Sequence, residues 1–153
     1  MSAQIDNRHV AFMENLTVAS RKMRTYYNAR VARYGLTFAR ARVILLLSKN
    51  ETMNQSELAC ELELEKPTVV RLLDRMEAHG LIERRADPND RRAKLIGLSA
   101  HGTDMARELD IMRAEFYEAV LGPVGPDELL TATTVFETII AKVDQIIQDR
   151  PDD

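Results

Sequence analysis

The sequence predicts a mainly α-helical protein carrying one small β-hairpin, an α+β class dominated by helices. Three observations predict it. Apolar residues recur in steps of three and four along six separate stretches. That period lapses once, between Leu81 and Leu98, where two short strand patterns flank the polar turn Asp87-Pro88-Asn89-Asp90. Gly and Pro are few and fall between the periodic stretches, where they punctuate.

The first helix is expected from about Ile5 to Arg33. Met13, Leu16, Ser20, Met23, Tyr27, Arg30 and Tyr34 form a stripe along one face, most of it apolar. Gly35 supplies the stop. A second helix covers about Phe38 to Lys49, with Ala41, Ile44, Leu45 and Ser48 expected inward. A third, short helix spans about Gln55 to Leu62. Asn54 followed by Glu57 is a capping-box variant, and Leu58 and Leu62 form the buried edge.

A fourth helix spans about Lys66 to His79. Pro67 sits in its first turn, where a missing N–H is tolerated, and Gly80 ends it. Val69, Leu72, Leu73 and Met76 form its core face, with Thr68, Arg71 and Arg75 opposite. Leu81–Arg85 and Lys94–Leu98 are the strands of the hairpin, whose tip and flanks carry Arg84, Arg85, Arg91, Arg92 and Lys94. Ser99 can cap a fifth helix, about Ala100 to Leu121, striped by Met105, Leu109, Met112, Phe116 and Val120. Gly122-Pro123-Val124-Gly125-Pro126 breaks it. A sixth helix runs from about Asp127 to Asp149, with Leu129, Thr133, Phe136, Ile140, Val143 and Ile147 in register, and Pro151 and the last two Asp residues close the chain.

Composition narrows the function. A chain of 153 residues suits one domain, and 45% hydrophobic with 29% charged residues is ordinary globular usage. Residues 1–27 hold no continuous apolar stretch, so no secretory signal is expected. The run Val43–Leu47 is far too short to span a bilayer. A cytoplasmic location and no membrane partner follow as expectations. The formal net charge of −3 conceals an asymmetry. Residues 66–98 carry eight basic and five acidic side chains, whereas residues 99–153 carry four and twelve. A basic middle permits a local phosphate-binding surface.

Two tandem helices joined by Glu63-Leu64-Glu65 fit a helix-turn-helix, and the hairpin after them makes it winged. A recognition helix must project short polar and long basic groups near its N-terminus. Thr68 and Arg71 meet that demand, since Arg can pair bidentately with guanine and Thr can touch a thymine methyl. A narrow cationic hairpin tip suits the minor groove, whose negative potential attracts Arg91 and Arg92. Asn54, Gln55 and Ser56 begin a helix and can offer N–H groups to phosphate.

The stretch Glu65-Lys66-Pro67-Thr68-Val69-Val70-Arg71-Leu72-Leu73-Asp74-Arg75-Met76-Glu77 resembles the recognition helix of MarR-family regulators. His79-Gly80-Leu81-Ile82-Glu83-Arg84 is similar to that family's exit into the wing, and Asp87 to Lys94 followed by Leu98-Ser99 resembles its wing signature. The Pro67-Thr68 and Val70-Arg71 pairs look most like the SlyA branch. The resemblance covers nearly the whole chain. It implies one domain over 1–153, with a DNA-binding lobe at 36–99 and dimerisation helices at 1–34 and 100–150. It implies a bacterial homodimer on a pseudo-palindromic operator, more often a repressor, with a small aromatic or phenolic effector. A ligand-independent or silencer-displacing regulator is the alternative. It also implies that Arg92 enters the minor groove, that Asp90 orients an arginine by a salt bridge, and that Pro67, Thr68 and Arg71 lie in the major groove. The full expected DNA-contacting set is Asn54, Gln55, Ser56, Lys66, Pro67, Thr68, Arg71, Arg75, Asp90, Arg91, Arg92 and Lys94.

Other chemistries find little support. No Gly-rich phosphate loop, HExxH or paired-cysteine motif occurs, and Ser99 and His101 lack a partnered acid, so no catalytic residue is expected. His9, His79 and His101 are isolated, so no metal and no cofactor is expected. Cys60, the single cysteine, reads as a small buried or half-buried helix residue, and oxidation-sensing relatives carry theirs in the first helix. Met13, Met23, Met105 and Met112 read as adaptable packing, or as the lining of a compliant pocket. Arg21, Lys22 and Arg24 are loose candidates for an anionic effector, whose site is otherwise unknown.

Overall fold

The computed structural model describes residues 6–149. The expected start at Ile5 and the closing Pro151 lie outside them. The chain divides into two compact units, one ending at Phe116 and the other beginning at Tyr117.

The first unit opens with α1 (Asn7–Ala32). Asp6 caps it by accepting from the Arg8 backbone N–H at 2.8 Å. The Arg8 guanidinium bonds the same carboxyl and holds it below the ordinary aspartate range. The apolar stripe of α1 is covered only in part: Met13 and Met23 are exposed, Leu16, Tyr27 and Arg30 are half-buried, and Val31 is the one buried residue of the helix. Thr37 caps α2 (Phe38–Asn50), whose buried residues are Ala41, Val43, Ile44 and Leu47. Ser48, expected inward, is exposed. The apolar run 43–47 reads equally well in more than one helical phase, and contacts with α1, α3 and the sheet select this one.

Asn54 ends β1 (Thr52–Asn54) and caps α3 (Gln55–Leu62). The capping box is complete: Glu57 N–H donates to Asn54 Oδ1 at 2.9 Å, and Asn54 N–H donates to Glu57 Oε2 at 2.8 Å. Glu63 then takes the left-handed conformation at φ 54°, and Leu64 N–H closes back on the Ala59 carbonyl at 3.1 Å. That tight reversal delivers α4 (Lys66–Ala78) against α3. Leu58, Ala59 and Leu62 are the buried face of α3, which leaves Cys60 exposed and corrects the expectation for it.

Val69, Leu73 and Met76 anchor α4 in the core. Burying one such side chain contributes about 1.5–3 kcal/mol. Gly80, at φ 69°, turns the chain out of α4 into β2 (Ile82–Ala86). Leu81 does not join that strand, because its N–H is committed to the Met76 carbonyl and its own carbonyl accepts from Ser99. β2 pairs antiparallel with β3 (Lys94–Leu98), Arg84 opposite Ile96. β3 pairs on its other edge with β1, so the sheet order is β1-β3-β2. The wing is thus three-stranded where two strands were expected.

Ser99 starts α5 (Ala100–Leu121): its Oγ accepts from Gly102 N–H at 2.9 Å and donates to the Gly80 carbonyl. Gly102, Ala106, Leu109, Met112 and Phe116 are the buried residues of α5. The core of the described residues contains no buried polar or charged residue.

The second unit holds the end of α5, the break at 122–125, and α6 (Pro126–Gln148). Gly125 N–H donates to Glu128 Oε2 at 3.0 Å at the start of α6. No described residue of α6 is buried, and Leu130, Ile140 and Ile147 stand well exposed.

Candidate nucleic-acid interface

The amphipathic α4 has its apolar side in the core, so the residues between must face out. Thr68, Arg71 and Arg75 are all exposed. They line one side of a cleft of about 280 Å³ whose other wall is Thr37 and Arg40, from the start of α2. Neither Thr37 nor Arg40 was singled out from the sequence. A residue three positions past a helix cap gives no sign of sitting beside a helix thirty residues later.

The wing closes its tip with two aspartates that serve the backbone. Asp87 accepts from Asn89 N–H at 2.8 Å, and Asp90 accepts from Arg92 N–H at 2.9 Å. Asp90 therefore shapes the turn under Arg92, and among the described residues it forms no ion pair with a guanidinium. A second cleft, about 320 Å³, joins the wing to α3: Asn54, Gln55 and Ser56 face Arg92, Ala93 and Lys94 across it. Residues far apart in sequence meet here because β1, which leads into α3, pairs with β3, which leaves the wing tip. Lys66, Pro67, Asp90 and Arg91 are exposed and line neither cleft. The Asn54 side chain is occupied by its cap, so it offers a positioned backbone more than a loose amide.

The arginines divide by company. Arg84 bonds Asp74 at 2.6 Å and also bonds Glu77, both on α4, and its side chain is 16% exposed. Burial disfavours its charge, but the two carboxylates outweigh this and its pKa stands above the ordinary guanidinium value. Arg84 is thus a strut between wing and α4, although it was expected on the basic flank. Arg85 pairs with Glu83 at 3.1 Å. In contrast, the side chains of Arg40, Arg71, Arg75, Arg91 and Arg92 have no hydrogen-bond or ion-pair partner among the described residues. Lys94 is likewise without one. Arg71 and Arg75 on α4 and Arg91, Arg92 and Lys94 on the wing are exposed to solvent, and Arg40 on α2 is half-buried.

A further polar cluster lies between α1, α2 and α5. The rings of Tyr26 and Tyr27 approach Phe116 with centroids 5.4 Å apart, and Tyr27 meets Phe38 edge-on at 5.9 Å. Arg24 lies 5.0 Å over Phe38. Arg30 bonds Tyr26 and Glu115, while its buried Nε has no partner.

No group of His, Cys, Asp or Glu among the described residues could hold a metal ion, and no described helix is long and apolar enough to cross a membrane.

Residues 36–94, which contain this whole surface, match the MarR family. A solved structure, transcriptional regulator PA3341, is 32% identical, covering 88% of this chain and 98% of that one, with a TM-score of 0.79. The chain belongs to the MarR family. MarR regulators are DNA-binding transcription factors and not enzymes. A mutant MarR from Escherichia coli, complexed with operator DNA, shares the fold at 19% identity and a TM-score of 0.75, covering 90% of this chain and 99% of that one. The homoprotocatechuate degradative operon repressor of Escherichia coli is 26% identical over 92% of this chain and 97% of its own length. Placed within the MarR fold, the bare arginines of α4 and the wing occupy the two elements that a winged helix-turn-helix presents to duplex DNA.

Proposed function

We propose that this MarR-family protein is a dimeric, sequence-reading repressor that binds a pseudo-palindromic operator and occludes a promoter. The observation that carries the reading is the set of cationic side chains on α4 and the wing left without carboxylate partners. In this reading Thr68 and Arg71 contact base edges in the major groove, and Arg92 enters the minor groove. Pro67 lies beside them at the start of α4. Lys66, Arg75, Arg91, Lys94 and the backbone at Gln55 and Ser56 hold phosphates. Asp90 keeps the wing turn closed. Repression is supported by the repressor named among its relatives. A SlyA-like branch is supported by Pro67-Thr68 and Val70-Arg71.

Dimerisation is supported by apolar side chains left exposed in the described parts of the terminal helices, Met13 and Met23 on α1 and Leu130, Ile140 and Ile147 on α6 among them. A monomer in solution at micromolar concentration would refute it. Regulation by a small aromatic anion is supported by the Tyr26, Tyr27, Phe38 and Phe116 rings beside Arg24 and Arg30. The ligand must bind the two states of the dimer unequally, or it shifts nothing. Salicylate leaving operator affinity unchanged would sink the aromatic-anion version and favour the ligand-independent one.

Selection of bound sequences from a random duplex pool, near physiological salt, tests the core of the proposal. An enriched inverted repeat with half-site centres about one helical turn apart is the expected result. A folded protein that enriches nothing refutes it.

A further inference from the structure

Arg40, Arg71 and Arg75 converge on one cleft with Thr37, Thr68 and Leu72, and no carboxylate among the described residues lines it. Like charges crowded in this way repel, and elsewhere the chain relieves such charge. Arg8, Arg30, Arg84, Arg85, Arg107 and Arg113 each have an acidic partner. The acidic side chains nearest to hand in sequence are Asp74, adjacent to Arg75 and three residues after Arg71, and Glu77. Both are held by Arg84 from the wing side of α4. The cleft is therefore kept cationic by the fold itself. Its hydroxyl is also prepared: Thr37 Oγ1 accepts from Arg40 N–H at 3.3 Å, which leaves the hydroxyl hydrogen to donate outward.

We propose that this cleft is a seat for one backbone phosphate of the DNA, held by Arg40, Thr37 and Arg75 beside the groove that α4 reads. The seat rests on the DNA-binding reading above and adds α2 to it. A backbone phosphodiester has the matching chemistry: a monoanion whose two non-bridging oxygens accept forked guanidinium donors and a hydroxyl together. Arg71 stands at the base-facing edge of the same cleft, so the seat sets the register in which Arg71 approaches the bases. The seat itself carries no sequence information.

The test measures equilibrium binding of the full-length protein to the selected operator and to an unrelated duplex over a range of salt. Arg40→Ala is expected to weaken both complexes by the same several-fold factor and to reduce the salt slope by about one per occupied seat. Arg75→Ala should behave alike, and Arg40→Lys should retain the slope. Arg40 is only partly covered and outside the core, and unfolding midpoints of the variants establish that they fold. Wild-type affinity and slope in Arg40→Ala, while Arg92→Ala is impaired, would overturn the seat and leave the DNA reading intact. A loss confined to the operator would overturn it too, because Arg40 would then be reading bases. Wild-type protein that binds neither duplex would overturn the parent reading and the seat with it.

Discussion

Arg84 Nη2 lies 2.6 Å from Asp74 Oδ1, so a residue of the wing grips the middle of the recognition helix. Arg84→Met would cut this strut and release Asp74 and Glu77. The pair is only partly shielded, so the expected stability loss is about 1 kcal/mol, read as a lowered midpoint of thermal unfolding. The larger effect falls on DNA. A released Asp74 lies one helical turn from Arg71 and competes for it. Operator affinity should drop several-fold, and adding Asp74→Ala should restore part of it. If the double variant binds no better than Arg84→Met alone, carboxylate release is not the cause.

Gly102 is placed where a side chain has no room. A Cβ there would sit 2.0 Å from the Leu81 carbonyl oxygen, a backbone atom that cannot swing aside. Glycine inside a helix disfavours it by roughly 1 kcal/mol relative to alanine, so its presence marks a packing need. Gly102→Ala should raise helix propensity yet destabilise the fold by about 1–3 kcal/mol through overpacking. Urea unfolding decides the sign, and a more stable variant would contradict the tight approach of α5 to the α4–β2 link.

Arg71 and Arg92 are bare and should separate cleanly. Arg71→Ala should lose about 1–3 kcal/mol of operator binding and relax preference at one position per half-site. Arg92→Ala should lose affinity with little change in folding, chiefly where the operator has a narrow minor groove. Unchanged binding by either variant removes that residue from the interface.

Asp6 titrates below the ordinary aspartate value of 3.8 because Arg8 bonds its carboxylate. A carboxyl depressed in the folded state stabilises it above the unfolded pKa and loses that contribution as pH falls. The first turn of α1 should therefore be firm at neutral pH and fray as pH drops below about 3.8. NMR titration of the Asp6 carboxyl and amide exchange at Arg8 report this, and an inflection at or above 3.8 would be the contrary result. The neutral variant Asp6→Asn should keep the cap and lose the pH dependence.

Elements whose signals lie close together in the chain are legible in the sequence, and features set by tertiary packing are not. Helices with local caps, such as α3 with Asn54 and Glu57, announced themselves because the signals lie within one turn of chain. The wing turn and the outward Thr68, Arg71 and Arg75 followed from periodicity around Val69, Leu73 and Met76. The strand Thr52–Asn54 did not, because three residues show no period and its partner is β3, some forty residues on. Arg84 looked like one more basic flank residue until Asp74 and Glu77 were brought beneath it. Arg40 and Thr37 joined the α4 cleft through tertiary packing alone. The phase of α2, which left Ser48 exposed, was set by neighbours on several sides and not by its own pattern.

The double attachment of the wing has a mechanical consequence. Arg84 fastens one strand to α4, and β1 fastens the other to the start of α3, so only the tip at 87–93 can flex alone. The reading head behaves as a rigid key with a soft point. If this lobe engages DNA as proposed, α4 and the base of the wing would approach and leave the duplex together, and only the tip would adjust separately.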